Sequence, residues 1–265
     1  MNYYKRAVFD DLKNQLKPNK VLILLGARRV GKTQLIKKYV ASTNEKVLQL
    51  NGEDLNDTRL LEERTLENYK RLLENIDLLI IDEAQNIDDI GLILKFIVDT
   101  IDGIKVIATG SSMFDLNNKL GEPLVGRKNT LFLFPLAQME FSQYENFKET
   151  TENIEERLIY GGYPELTHYE SWYDKQTYLR EIVNSYLLKD ILVFDGIINA
   201  NKIYDLLRLI AFQVGKEVSL QEVVKQVLDD LELKVQEKQA TITLATLPTV
   251  EAQPVQMQQL FQNLI

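Results

Sequence analysis

Val21-Leu22-Ile23-Leu24-Leu25 runs directly into Gly26-Ala-Arg-Arg-Val-Gly-Lys-Thr33, and this junction decides the fold. Five apolar residues bounded by glycine read as a buried strand of a parallel sheet, and the apolar spacing over 34–41 is that of an amphipathic helix. Between them stands the pattern G-x-x-x-x-G-K-[ST]. Glycines let backbone amides curl around an anion, while a helix beginning at the loop points the positive end of its dipole at the same spot. The stretch therefore predicts a phosphate-binding loop made by Gly26, Ala27, Arg28, Arg29, Val30, Gly31, Lys32, Thr33 and Gln34. Lys32 would reach the β- and γ-phosphates and Thr33 would hold Mg²⁺, so ATP with Mg²⁺ is the expected ligand pair. A surface turn could share the eight-residue pattern, but it would lack the strand before it and the helix after it.

A second apolar run, Asp77-Leu-Leu-Ile-Ile-Asp-Glu-Ala-Gln85, ends in two carboxylates. In a parallel sheet both acids would lie at the carboxyl edge, beside the loop. There Asp82 would take the outer sphere of the metal and Glu83 would polarise a water for attack on the γ-phosphate. In the plainer alternative the pair caps a helix after a core strand. A third run, Lys105-Val-Ile-Ala-Thr-Gly-Ser-Ser112, ends in small hydroxyl residues at the same edge. Thr109, Ser111 or Ser112 would sense the γ-phosphate or position the water, with Ser111 as the catalytic candidate; alone, such a tetrapeptide is also ordinary turn and cap chemistry.

Length and composition bound the rest. A chain of 265 residues, 45% of them apolar, suffices for an α/β domain plus a smaller appendage. With no cysteine and a single histidine, His168, neither disulfides nor a multi-ligand zinc site is expected, and His168 reads as a loop or surface residue. The net charge of −8 gives no general attraction to nucleic acid or anionic membrane, though a local basic patch would still permit a nucleic-acid or protein partner. No apolar run approaches the ~18 residues of a membrane span and the amino terminus lacks a signal-peptide core, so a cytoplasmic protein is expected.

Strands are expected over 21–25, 47–51, 78–82, 106–109 and 130–134. Helices are expected over 4–16, 34–41, 90–101, 154–160, 172–194 and 202–214. The alternation predicts a doubly wound parallel sheet over 1–150, with a helical lid subdomain over 151–218. Gly161-Gly162-Tyr163-Pro164 is either a hinge for that lid or a plain turn. The tail, 219–265, differs in composition: the last tyrosine is Tyr204, whereas glutamine recurs nine times from Gln221 to Gln262.

These motifs, in this order, resemble the AAA-type P-loop ATPases of bacteria and archaea that couple their core to a winged helix and a C-terminal nuclease-like domain of unknown function. Besides the loop, Leu79-Ile-Ile-Asp-Glu-Ala-Gln85 and Ala108-Thr-Gly-Ser-Ser112, the similarity rests on Gly126-Arg127, Phe134-Pro-Leu136 and Glu140-Phe141. It continues through Tyr160-Gly-Gly-Tyr-Pro-Glu165 and Tyr178-Leu-Arg-Glu-Ile-Val-Asn-Ser-Tyr-Leu-Leu-Lys-Asp190. The resemblance implies an AAA-type core with a helical lid and makes Arg127 the candidate charge-stabilising arginine, a role worth roughly 10³–10⁵ in rate in related chemistry. Otherwise Arg127 is a solvated cation in its turn; if it acts on a neighbouring copy, an oligomer is required. Arg28 and Arg29 occupy variable loop positions that suit surface or partner contacts. Beyond Val218 the resemblance changes. Residues 221–265 are similar to the start of a sensor histidine kinase ATPase domain, with a helix over 222–231, a strand over 240–247 and Asn263 matching the first of two motif asparagines. A short α+β tail of chimeric origin is the resulting expectation, with a native extension as the alternative. The leading function is ATP hydrolysis, and the other is a nucleotide-gated regulatory module with little turnover. A phosphotransferase lacks an evident acceptor pocket, and a tandem-motor helicase needs more chain.

Overall fold

In the computed structural model the described residues are 3–111 and 124–187, with 218–219, 225 and 249–250 beyond them. The five apolar runs form strands β1 (Lys20–Leu25), β2 (Val47–Asn51), β3 (Leu78–Asp82), β4 (Lys105–Gly110) and β5 (Lys128–Phe132). All pair in parallel, in the order β2-β3-β4-β1-β5. Strand periodicity of two sorts their side chains into two cores. Val21, Ile23, Leu25, Leu79, Ile81, Val106 and Ala108 face α3 (Leu55–Glu62), α4 (Leu66–Leu72) and α5 (Ile90–Thr100). Leu22, Leu24, Leu78, Ile80 and Ile107 face α1 (Phe9–Gln15) and α2 (Lys32–Val40). The helix after β1 and the helix after β3 thus lie on opposite faces, which opens a crevice at the carboxyl ends of β1, β4 and β3.

Several expected boundaries move, and for two of them the hydrogen bonding gives the reason. The opening helix begins at Phe9 rather than at residue 4, because side chains already hold the preceding backbone. Lys5 N–H donates to Gln143 Oε1 (2.9 Å), Lys5 C=O accepts from Gln143 Nε2 (2.7 Å), and Ala7 N–H donates to Glu140 (2.7 Å). The last strand starts at Lys128 and ends at Phe132, although Leu133 N–H still donates to Leu25 C=O at 2.7 Å. The helix expected over 154–160 starts earlier, at Phe147. Asn146 accepts from the amides of Lys148 and Glu149, and Glu149 reaches back to Asn146 N–H, a capping box ahead of two polar turns.

After α6 (Gln138–Phe141) and α7 (Phe147–Tyr160), the chain makes a 3₁₀ turn over Pro164–His168 that leaves His168 exposed, then forms α8 (Trp172–Ile182) and a π turn over Val183–Leu187. Leu166, Tyr178 and Ile182 make a small core here with Tyr160, Tyr163, Tyr169 and Leu179. At the expected hinge, Leu136 N–H donates to Gly162 C=O at 2.6 Å, which pins the 161–164 crossing to the backbone beyond β5. The chain divides into compact units Met1–Tyr186 and Leu187–Ile265. In the second, Val218–Ser219 pairs antiparallel with Thr249–Val250. The helix expected over 202–214 and most of the tail expectations, including the strand over 240–247 and Asn263, lie outside the described residues. Among the described residues no helix is long and apolar enough to cross a membrane.

Burial pushes two phenols, Tyr39 and Tyr178, up to about 12; a hydrogen bond to Glu45 adds to the effect at Tyr39, while Arg29 opposes it at Tyr178. The unfolded chain releases these protons near pH 10, so their contribution to stability is complete below pH 10 and falls as pH rises towards 12. Thermal melts between pH 9 and about 12 should show a shallower alkaline loss in Tyr39→Phe than in the parent; parallel curves would remove Tyr39 from the account.

Candidate nucleotide site

The loop leaves β1 at Gly26 and enters α2 at Lys32. Two left-handed residues, Arg29 (φ 65°) and Gly31 (φ 99°), turn it through that distance, and glycine is suited to the second. Lys32 is only 6% exposed, and its ammonium folds back to donate to the carbonyls of Gly26 (2.7 Å) and Ala27 (3.2 Å). A phosphate is a charged acceptor and makes a stronger partner than either carbonyl. Thr33 and Gln34 are exposed on the first turn of α2, and Val30 is buried beneath the loop.

Both acids arrive where the parallel sheet was expected to put them. Thr33 Oγ1 donates to Asp82 Oδ2 at 3.2 Å. Thr109, fully buried, donates its hydroxyl to Asp82 Oδ1 and accepts from Glu83 N–H at 3.1 Å. One hydroxyl therefore holds the Asp82 carboxylate and the Glu83 backbone, a positioning role for a side chain buried away from the cavity. Glu83 sits at φ 49°, and its carboxylate accepts from Gln85 Nε2 at 2.5 Å. Gly52 makes this turn possible: its N–H donates to Asp82 C=O (2.8 Å), and a Cβ there would collide with the carbonyl of Glu83. Ser111 is half-buried just past the end of β4, at the same edge; Ser112 lies outside the described residues.

The residues fit Mg²⁺. This ion keeps several waters and takes few protein oxygens when phosphates complete its shell, and the Thr33 hydroxyl beside the Asp82 carboxylate is such a pair. A cavity of about 430 Å³ lies over the loop, walled by Arg28, Lys32, Thr33, Glu53 and Glu83. A second, of about 280 Å³, is walled by Tyr3, Tyr4, Arg6, Leu136 and His168. Both also include Arg29, Gly31, Gln34 and Glu165, so the two cavities are neighbours that share these walls.

Arg127 is not brought to this edge. It immediately precedes β5, and parallel pairing sets the start of β5 beside the start of β1; Arg127 C=O accepts from Val21 N–H at 2.9 Å. Its side chain pairs with Asp99 of α5 at 2.5 Å. The length of β1 separates it from the loop of its own chain, so a direct role there is ruled out by geometry. Arg29 sets its guanidinium 5.7 Å from the Tyr178 ring centre, in reach of the helices that follow the sheet.

The motifs missed Arg6, which donates to Val30 C=O of the loop at 2.7 Å, and they left Glu140 without a role, although it binds Arg6 at 3.0 Å. They also missed Gly52 and the restraint by Gln85. Only Glu140 and Gln85 carried a signal, as members of quoted motifs.

A five-stranded parallel sheet with this loop and these acids at its carboxyl edge has the architecture of a P-loop domain. Residues 18–142 match the family model described as an AAA domain. Residues 151–250 match a domain of unknown function, DUF8612, a span that crosses the junction expected at 218. The chain is 25% identical over 235 residues to a protein of Methanocaldococcus jannaschii, "Uncharacterized protein MJ1544", with 80% of this chain and 51% of that one covered. It therefore spans about half the length of this curated relative. Among solved structures it is similar in fold to the Walker-type ATPase PABY2304 of Pyrococcus abyssi. The TM-score is 0.51 at 14% identity, covering 97% of this chain and 88% of that one.

Thr109→Val removes the hydroxyl that serves Asp82 and Glu83 while keeping the volume. Urea unfolding should show a loss of about 1–3 kcal/mol, with Thr109→Ser close to the parent; a neutral Thr109→Val would mean that the acids are held by other contacts.

Proposed function

We propose that the chain is a Mg²⁺-dependent ATPase of the cytoplasm. The observation that carries this reading is the convergence of Lys32, Thr33 and Glu83 on one cavity, with Asp82 3.2 Å from the Thr33 hydroxyl. Loop amides and Lys32 bind the β- and γ-phosphates, Thr33 and Asp82 hold the metal, Glu83 polarises the attacking water, and Ser111 contacts the γ-phosphate or that water. The nucleoside end lies in the cavity beside Tyr3 and Tyr4. Catalysis belongs to 1–150, the lid is 151–218, and the tail, 219–265, stays outside the chemistry. Arg29 on Tyr178 links the loop to the lid. If Arg127 serves the phosphates of a neighbouring copy, the active form is an oligomer.

A second reading has an observation of its own. Gln85 grips the Glu83 carboxylate at 2.5 Å, which suits a nucleotide-gated regulatory module whose water-activating acid is held back.

ATP hydrolysis and binding, measured in parallel, separate the two. Lys32→Ala should lose binding and turnover, and Glu83→Gln should keep binding while hydrolysis falls by roughly 10²–10⁴. A parent that binds ATP without turning it over, and gains turnover in Gln85→Ala, would establish the second reading instead.

Arg127→Ala should bind ATP normally and hydrolyse it roughly 10³-fold more slowly or worse. Mixing it with Lys32→Ala copies, which still carry Arg127, should restore part of the rate. No recovery on mixing would count against action between copies.

A further inference from the structure

We infer that Arg6 sets the orientation of the phosphate-binding loop and that Glu140 holds Arg6 in position to do so. This rests on the nucleotide-site reading above. Arg6 falls within the expected opening helix, where an arginine would be solvated, yet it is 6% exposed. Its guanidinium reaches three separate acceptors: Nη1 donates to Val30 C=O (2.7 Å), Nη2 to Phe134 C=O, and Nε to Glu140 Oε1 (3.0 Å). Glu140, 4% exposed, accepts in addition from Ala7 N–H through Oε1 (2.7 Å) and from Ala137 N–H through Oε2 (3.0 Å).

A buried ion pair is costly to desolvate, and an apolar pair of similar volume often stabilises a fold as well. What an apolar pair cannot supply is a charged donor on a loop carbonyl. The Val30–Gly31 peptide is planar and trans, so fixing Val30 C=O towards Arg6 sends Gly31 N–H to the opposite side of the peptide. Gly31 lies at φ 99°, a region that glycine enters about as readily as negative φ, so the loop has little preference of its own between the two faces of this peptide. Arg6 supplies that preference. Its Nη1 also lies 3.6 Å from where a Gly31 Cβ would be, which places the guanidinium against this peptide. Arg6 is thus a positioning residue that prepares a loop amide for an anion.

The test is calorimetric titration of the full chain with inorganic tripolyphosphate and, separately, with Mg-ATP, alongside thermal melts. In Arg6→Gln both ligands should weaken by the same factor, about tenfold or more. Arg6→Lys, which keeps one charged donor, should recover part of that loss. Glu140→Gln, which keeps the shape and an oxygen acceptor, should shift both ligands in the same direction by less, and it carries the comparison if Arg6→Gln does not fold. A lowered melting temperature with unchanged tripolyphosphate affinity would overturn the inference and leave Arg6 a purely structural residue. Weakened ATP with unchanged tripolyphosphate would also overturn it, since Arg6 would then serve the nucleoside end. A parent chain that binds neither ligand would overturn the nucleotide-site reading itself.

Discussion

The parallel register of β3, β4 and β1 is the constraint on which the site depends. It pairs Leu25 with Gly110, Leu24 with Thr109 and Ile81 with Ala108, so the next step along β3 brings Asp82 beside Thr109. Three strand ends from distant parts of the chain are thereby level at one edge. A slip of one residue would turn Thr109 to the opposite face and take its hydroxyl from both the Asp82 carboxylate and the Glu83 amide. The apolar faces resist such a slip, because Val106 and Ala108 pack in one core and Ile107 in the other. The core thus fixes the alignment, and the alignment fixes the acids.

What the sequence revealed follows the range of the signals. Strand runs such as Leu78–Asp82 and the loop spacing are local, and both were legible to the residue. The acids could be paired with the loop because parallel topology has few solutions. Long-range polar contacts were not legible: nothing about Arg6 in isolation indicates that Val30, Phe134 and Glu140 will surround it. The misplaced start of α1 has the same origin. Helical spacing was present over 4–16, but Gln143 and Glu140 take the backbone groups of Lys5 and Ala7 before a helix can. Arg127 was placed by likeness to a motif, and the motif carries no information about which sheet edge its turn occupies.

The phosphate loop is held by two arginines of opposite character. Arg6, buried and paired with Glu140, grips the backbone at Val30. Arg29, at φ 65°, sets its guanidinium against the Tyr178 ring. One fixes the loop to the amino-terminal segment and the other ties it to α8. The chemistry of the loop is therefore bracketed by elements that supply none of the reacting groups.

The short segment just past β5 has a mechanical consequence. Leu133 is bonded to Leu25 at the root of the loop, Phe134 to Arg6, and Leu136 to Gly162 at the entrance to the small tyrosine-rich core. Three of four consecutive residues thus touch the sheet, the guanidinium anchor and the helices. They behave as a short tie rod: a pull on the helices at Gly162 is delivered along covalent backbone to the point where the loop leaves its strand, with no side-chain slack between.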